Sequence, residues 1–101
     1  MVLQFKPQGI YCPAGDFFID PMRPVDRALI THGHADHART GHKRYLATSQ
    51  AAPVMRHRLG KVVMDTIEYG ETRRVGGALI SFHPAGHVPG SAQIRVEVDG
   101  E

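Results

Sequence analysis

Seven consecutive residues, Thr31-His-Gly-His-Ala-Asp-His37, constrain this chain more than any other stretch. They place three imidazoles and a carboxylate between positions 32 and 37. Histidine and aspartate are the donors that a borderline divalent ion such as zinc prefers. The apolar run Ala28-Leu29-Ile30 just before them reads as a buried strand, so the donors follow a strand end. In extended backbone, residues two apart point the same way. His32 and His34 are therefore expected to reach one metal together, with Gly33 adding no bulk between them. Asp36 and His37 follow a turn and approach from another direction, which suits a second metal beside the first. In two-metal hydrolases such ions lie roughly 3.5–4 Å apart. The competing reading is a solvated loop that happens to be rich in histidine.

A second segment points the same way. Phe82-His-Pro-Ala-Gly-His-Val-Pro-Gly-Ser-Ala-Gln93 follows the apolar strand Ala78-Leu-Ile-Ser-Phe82. Its prolines and glycines between positions 84 and 90 mark a loop. His87 in that loop would complete a set with His32 and His34. Three protein ligands and one open position is the pattern of catalytic zinc. His83, on the strand, reads as structural, and His42 and His57 as surface residues.

Together, HGHADH and PAGHVPGSAQ resemble the metallo-β-lactamase fold and, within it, the β-CASP nucleases, most of all the bacterial ligase-associated DNA exonucleases. The likeness runs from Phe5 to Val98. HxHxDH marks only the superfamily, whereas AGHxxGSAQ is narrower. The resemblance implies an α/β (α+β) chain forming the N-terminal half of an αββα sandwich, mostly β with one or two helices. It implies His32, His34 and His87 on one metal and Asp36 and His37 on the other, with Asp36 and His37 also in catalytic roles. Asp20, in Phe17-Phe-Ile-Asp20, matches an aspartate near the metals but not necessarily on them; a turn residue before Pro21 is its plainer reading. The implied cofactor is Zn2+, two ions in the intact family and one here, with Mn2+ as the alternative. The implied activity is phosphodiester hydrolysis by a DNA exonuclease of repair, with DNA ahead of RNA as partner and a functional link to a DNA ligase. An RNA-processing nuclease, a small-molecule lactam or thioester hydrolase of the same fold, and an inactive metal-binding remnant remain alternatives.

Length is where the chain departs from that family, whose members continue into further metal ligands and the β-CASP insert. Residues 1–101 are thus expected to be a partial metallo-β-lactamase domain, weak or inactive alone. The last strand, near Ile94–Val98, runs into Asp99-Gly100, a favoured hairpin turn.

Composition narrows the rest. Cys12 is the one cysteine, so neither an internal disulfide nor a thiolate cluster can form, and a reducing cytoplasm is expected. There is no apolar run of the ~20 residues a bilayer demands, and the N-terminus has no signal-peptide core. Net charge is +2, which does not by itself indicate nucleic acid. Arg39, Lys43 and Arg44 follow the metal motif and would form a basic rim for a DNA backbone. Arg56, His57, Arg58 and Lys61 read as a solvated face.

Short strands are predicted at 3–5, 9–11, 17–19, 27–31, 45–47, 62–67, 73–75 and 78–82. A helix capped by Ser49 is predicted to run to Leu59, with Gly60 as its terminator and Ala51, Met55 and Leu59 facing the sheet. Gly76-Gly77 is predicted as a hairpin turn.

Overall fold

Glycine and proline cut this sequence into short apolar runs, and each run pairs as a strand. The computed structural model describes residues 1–34, 36–86 and 91–101. Six strands form one sheet: β1 (Gln4–Lys6), β2 (Gly9–Cys12), β3 (Phe17–Ile19), β4 (Arg27–Leu29), β5 (Arg44–Thr48) and β6 (Met64–Ile67), in that order. The first three form an antiparallel meander, and β3 to β6 are parallel. A second sheet holds β7 (Thr72–Val75), β8 (Ala78–Pro84) and β9 (Ala92–Glu97), all antiparallel. The described helix, α1 (Ala52–Leu59), is the crossover between β5 and β6.

The parallel strands are covered on both faces, as parallel sheets are. Alternation along β4 and β5 sends Leu29 and Leu46 toward Ile80, Phe82 and Ala92 of the second sheet. It sends Ala28, Tyr45 and Ala47 the other way, against Ala51 and Met55 of the helical segment. The result is three layers, helix, sheet and sheet. Cys12 is fully buried in the inter-sheet core as a free thiol.

The helix starts later than its sequence suggests. Ala51 occupies the N-cap, and the hydroxyl of Thr48, not Ser49, accepts the Ala51 N–H at 3.1 Å. Pro53 falls in the first turn, where its missing N–H breaks no helical bond. Gly60 ends the helix at φ 74° and donates its N–H to Arg56 O at 2.9 Å. Ala51 and Met55 are buried and Leu59 packs against the same cluster, so the predicted inward face is observed.

Both predicted hairpin turns form. Gly76 sits at φ 58°, and a Cβ there would lie 2.7 Å from Ala14 O, so only glycine fits beside the turn of the first sheet. Asp99 and Gly100 both have positive φ, 51° and 81°, and Val98 and Glu101 exchange backbone hydrogen bonds across them. That is the type I′ geometry of two-residue hairpins.

His42 corrects its reading as a surface residue: it is 7% exposed. Its Nδ1 accepts the Val25 N–H at 3.2 Å, and its ring lies 5.2 Å from that of Tyr45. Burial, reinforced by Arg39, holds its pKa below the ordinary value of 6.5. The folded chain therefore keeps His42 neutral while the unfolded chain protonates it. That contribution to stability is intact above about pH 6.5 and is lost as the pH falls below it. His32 shifts in the same direction and adds to the slope. Urea midpoints measured with chelator between pH 7.5 and 5 are expected to fall more steeply for the wild type than for His42→Gln. Equal slopes would mean that His42 is protonated in the fold.

Candidate metal centre

Open parallel sheets bind ligands beyond the carboxyl ends of their strands, and the histidine motif leaves β4 at that end. Asp20 leaves neighbouring β3 at the same end, since Ile19 is paired with Leu29. Asp20 takes φ 45°, a left-handed conformation that aspartate tolerates better than most residues, and donates its N–H to Leu29 O. This bend turns its carboxylate onto the next strand. Oδ1 accepts the Thr31 N–H at 2.8 Å, and Oδ2 accepts the Thr31 hydroxyl at 2.6 Å. Oδ2 also lies 2.7 Å from His37 Nδ1. An ionised carboxylate only accepts, so the His37 proton belongs on Nδ1 and its Nε2 lone pair is left outward. Asp36 Oδ2 stands 3.4 Å from that Nε2, on a side chain 73% exposed.

The backbone bends at Gly33 and His34 instead of staying extended, and a turn follows His34. His34 O accepts the N–H groups of His37 and Ala38, at 3.0 and 2.8 Å. The chain curls back, and the ring centroid of His37 comes within 3.8 Å of His32, closer than His34 at 4.9 Å. His32 is held below the ordinary histidine pKa by burial first, then by repulsion from His37 and His34. It is therefore the neutral imidazole a cation requires. Its Nδ1 accepts the His34 N–H in a long 3.4 Å contact. Coordination through Nε2 would move the ring proton to Nδ1 and give that contact up.

The helix braces this loop. Arg58 Nη1 donates to Gly33 O at 2.7 Å and to Ala38 O at 3.1 Å. Arg56, His57, Arg58 and Lys61 are exposed, as expected of a solvated face, and Arg58 in addition clamps the loop. Gly33 is buried against the same helix, where a Cβ would meet Val54 Cγ1 at 3.2 Å and Met55 Cγ at 3.4 Å. Glycine there lets the loop lie on the helix as well as keeping space between the imidazoles.

His87 lies outside the described residues, as do positions 35, 88, 89 and 90. The described chain on both sides of it is anchored beside the motif. Ser91 O accepts the Tyr69 hydroxyl at 2.8 Å and the Ala85 N–H at 3.3 Å. The Ala92 N–H then donates to Thr31 O at 2.7 Å, one residue before His32. Among the described residues alone, no three His, Cys, Asp or Glu side chains form a group able to hold a metal. The donor chemistry fits a divalent ion, and the set needs a further ligand. His83 is held on β8 with its Nε2 2.8 Å from Ser81 Oγ.

The basic rim expected from Arg39, Lys43 and Arg44 divides. Arg39 lines a cleft of about 410 Å³ with Asp36 and His37, which also includes the exposed Phe5 and Met22. Lys43 faces Asp26 at 3.5 Å. Arg44 opens β5 and lies at the other end of the strands.

No protein-family model matches the chain. It is 34% identical over 91 residues to a protein of Opitutus terrae named probable DNA ligase, covering 88% of this chain and 9% of that one. It is 29% identical over 111 aligned positions to Ribonuclease TTHA0252 of Thermus thermophilus, covering 83% of this chain and 26% of the ribonuclease. The chain thus spans about a tenth and about a quarter of these curated relatives. A solved structure of the CmlA β-hydroxylase E377D mutant superposes with a TM-score of 0.62 at 18% identity, over 94% of this chain and 27% of that one. The fold is the metallo-β-lactamase fold. Among the described residues, no helix is long and apolar enough to cross a membrane.

Proposed function

We propose that this chain forms the N-terminal part of a metallo-β-lactamase domain whose whole protein hydrolyses phosphodiester bonds of nucleic acid. The observation that carries the reading is the Asp20–His37 pair set beside neutral His32, at the carboxyl ends of β3 and β4. His32, His34 and His87 would hold one divalent ion, and Asp36 and His37 would contribute to a second. Such ions would polarise a phosphoryl group and neutralise the charge that develops on it. Asp20 holds the proton on His37 Nδ1, and Thr31 holds Asp20. Arg58 keeps the loop from spreading, and Arg39 offers a cation beside Asp36 and His37 for a neighbouring phosphate.

The names of the relatives support nucleic acid as the substrate class, and the probable ligase, more similar over this stretch, favours DNA and a functional link to ligation. Zinc is the expected ion, with manganese the alternative. The test is metal analysis of the purified chain together with cleavage assays on labelled single-stranded DNA and RNA, with Zn2+ or Mn2+ added. The expected result is about one tightly held zinc and weak, metal-dependent cleavage that prefers DNA. A chain that takes up no zinc, or whose cleavage survives chelation, would refute the reading.

A further inference from the structure

At the amino ends of the same strands, away from the histidine loop, the two sheets part around a cleft of about 360 Å³. Arg27 opens β4 and Arg44 opens β5, and the two are direct partners across the parallel ladder. Alternation places them on the face of Leu29 and Leu46, which looks into the space between the sheets. Arg73 and Arg74 line the cleft from the second sheet, and Asp65 is its acidic lining residue. Arg73 is engaged, donating to Thr66 O at 3.0 Å and to Glu71 Oε2 at 2.8 Å. Among the described residues, Arg27 and Arg44 have no ion-pair partner, and the nearby Lys43 and Asp26 face each other.

Like charges set directly opposite in a sheet are destabilising. Two guanidinium forks turned into one cleft become favourable when an anion bridges them, and the fork geometry matches phosphate oxygens two at a time. A volume in the range of small-ligand pockets, roughly 300–1,000 Å³, exceeds what one phosphate fills. We propose that this cleft binds a phosphate oligoanion through Arg27 and Arg44, either a free diphosphate group or successive phosphates of a nucleic-acid strand. The site is distinct from the metal centre. Arg27 precedes Ile30 by three strand steps, roughly 10 Å at about 3.3 Å per residue, and the histidines lie beyond.

The test uses the whole chain, metal-free in chelator and in phosphate-free buffer, titrated with pyrophosphate and separately with a 12-nucleotide single strand. Calorimetry and backbone NMR are the readouts. Pyrophosphate is expected to raise the melting temperature and to shift the amides of Arg27, Arg44 and Arg74. Arg27→Gln/Arg44→Gln is expected to weaken binding about tenfold or more, while melting no lower than wild type without ligand because the repulsion is gone. Arg56→Gln, on the exposed helix face, should bind as wild type does. If only pyrophosphate binding falls in the double variant, the natural ligand is a small diphosphate; if strand binding falls too, the cleft takes nucleic-acid phosphates. Undiminished binding of both ligands, absence of binding, or NMR shifts confined to the histidine loop would overturn the proposal. Should the double variant not fold, Arg44→Gln alone and the wild-type NMR titration decide by the same criteria.

Discussion

Replacing His34 with alanine is expected to remove tight zinc from the chain while leaving the fold in place. The side chain is exposed, and its loop-building role is carried by the backbone carbonyl, which alanine retains. Structural zinc sites are worth roughly 10–16 kcal/mol over four ligands, so one imidazole accounts for about 3 kcal/mol, or on the order of 10²-fold in affinity. A competition titration against a chromophoric chelator should show about one zinc per wild-type chain and under a tenth of that for His34→Ala at equal free zinc. The metal-free melting temperatures of the two should agree. Stoichiometric zinc retained by the variant would mean that the ion is held elsewhere. Two tightly held ions on the wild-type monomer would show that Asp36 and His37 suffice for the second site.

The alternating and continuous apolar runs located the strands, because burial on one or both faces leaves that pattern in the chain itself. Their ends were less legible. β5 extends to Arg44 because β4 pairs it through Arg27, and to Thr48 because β6 pairs it through Ile67, which no local signal announces. Ser49 is a good cap by residue type, but the chain makes one more turn, closed by the Thr48 hydroxyl on the Ala51 N–H, and the helix begins only after Ala51, which supplies no side-chain cap. His42 looked like a surface residue because it sits among Arg39, Lys43 and Arg44. In the fold its ring packs against Tyr45, a residue of the helix-side core, and accepts the Val25 N–H, contacts that the charged neighbours do not announce.

The candidate metal centre divides along the same line. Residue types and spacing make His32, His34, Asp36 and His37 readable as a group, whereas Asp20 is marked as their neighbour only by the family resemblance. The partnerships inside the group were not readable. Two-residue periodicity joins His32 to His34, but the turn closed on His34 O brings His37 nearer still. Arg58 is separated from Gly33 by 25 positions and from Ala38 by 20, and nothing in a basic helix end distinguishes a clamp from a solvated charge. Thr31 carried a weak hint, since a hydroxyl residue ending an apolar strand invites a partner, but the partner sits on another strand.

The carboxylate of Asp20 allows the sharpest separation of fold from chemistry. Asp20→Asn keeps the shape of the side chain and can still accept the Thr31 N–H through its amide oxygen. Its amide NH2 would then face His37 Nδ1, where a donor now stands against a donor. His37 resolves the conflict by moving its proton to Nε2, which withdraws the lone pair a cation needs. Loss of such an orienting partner lowers metal affinity by about 10–100-fold, so Asp20→Asn should lose any metal held through His37 while melting within a few degrees of wild type. Asp20→Ala differs in kind. It strands the Thr31 N–H in a half-buried site and leaves the His37 Nδ1–H only the longer 3.3 Å contact with the Thr31 hydroxyl, at a cost of about 1–3 kcal/mol. Long-range nitrogen–proton NMR on the metal-free proteins reads the tautomer directly. The wild type should show His37 protonated at Nδ1 and Asp20→Asn at Nε2. An unchanged tautomer with unchanged affinity would show that Asp20 serves the loop's shape and not the histidine's chemistry.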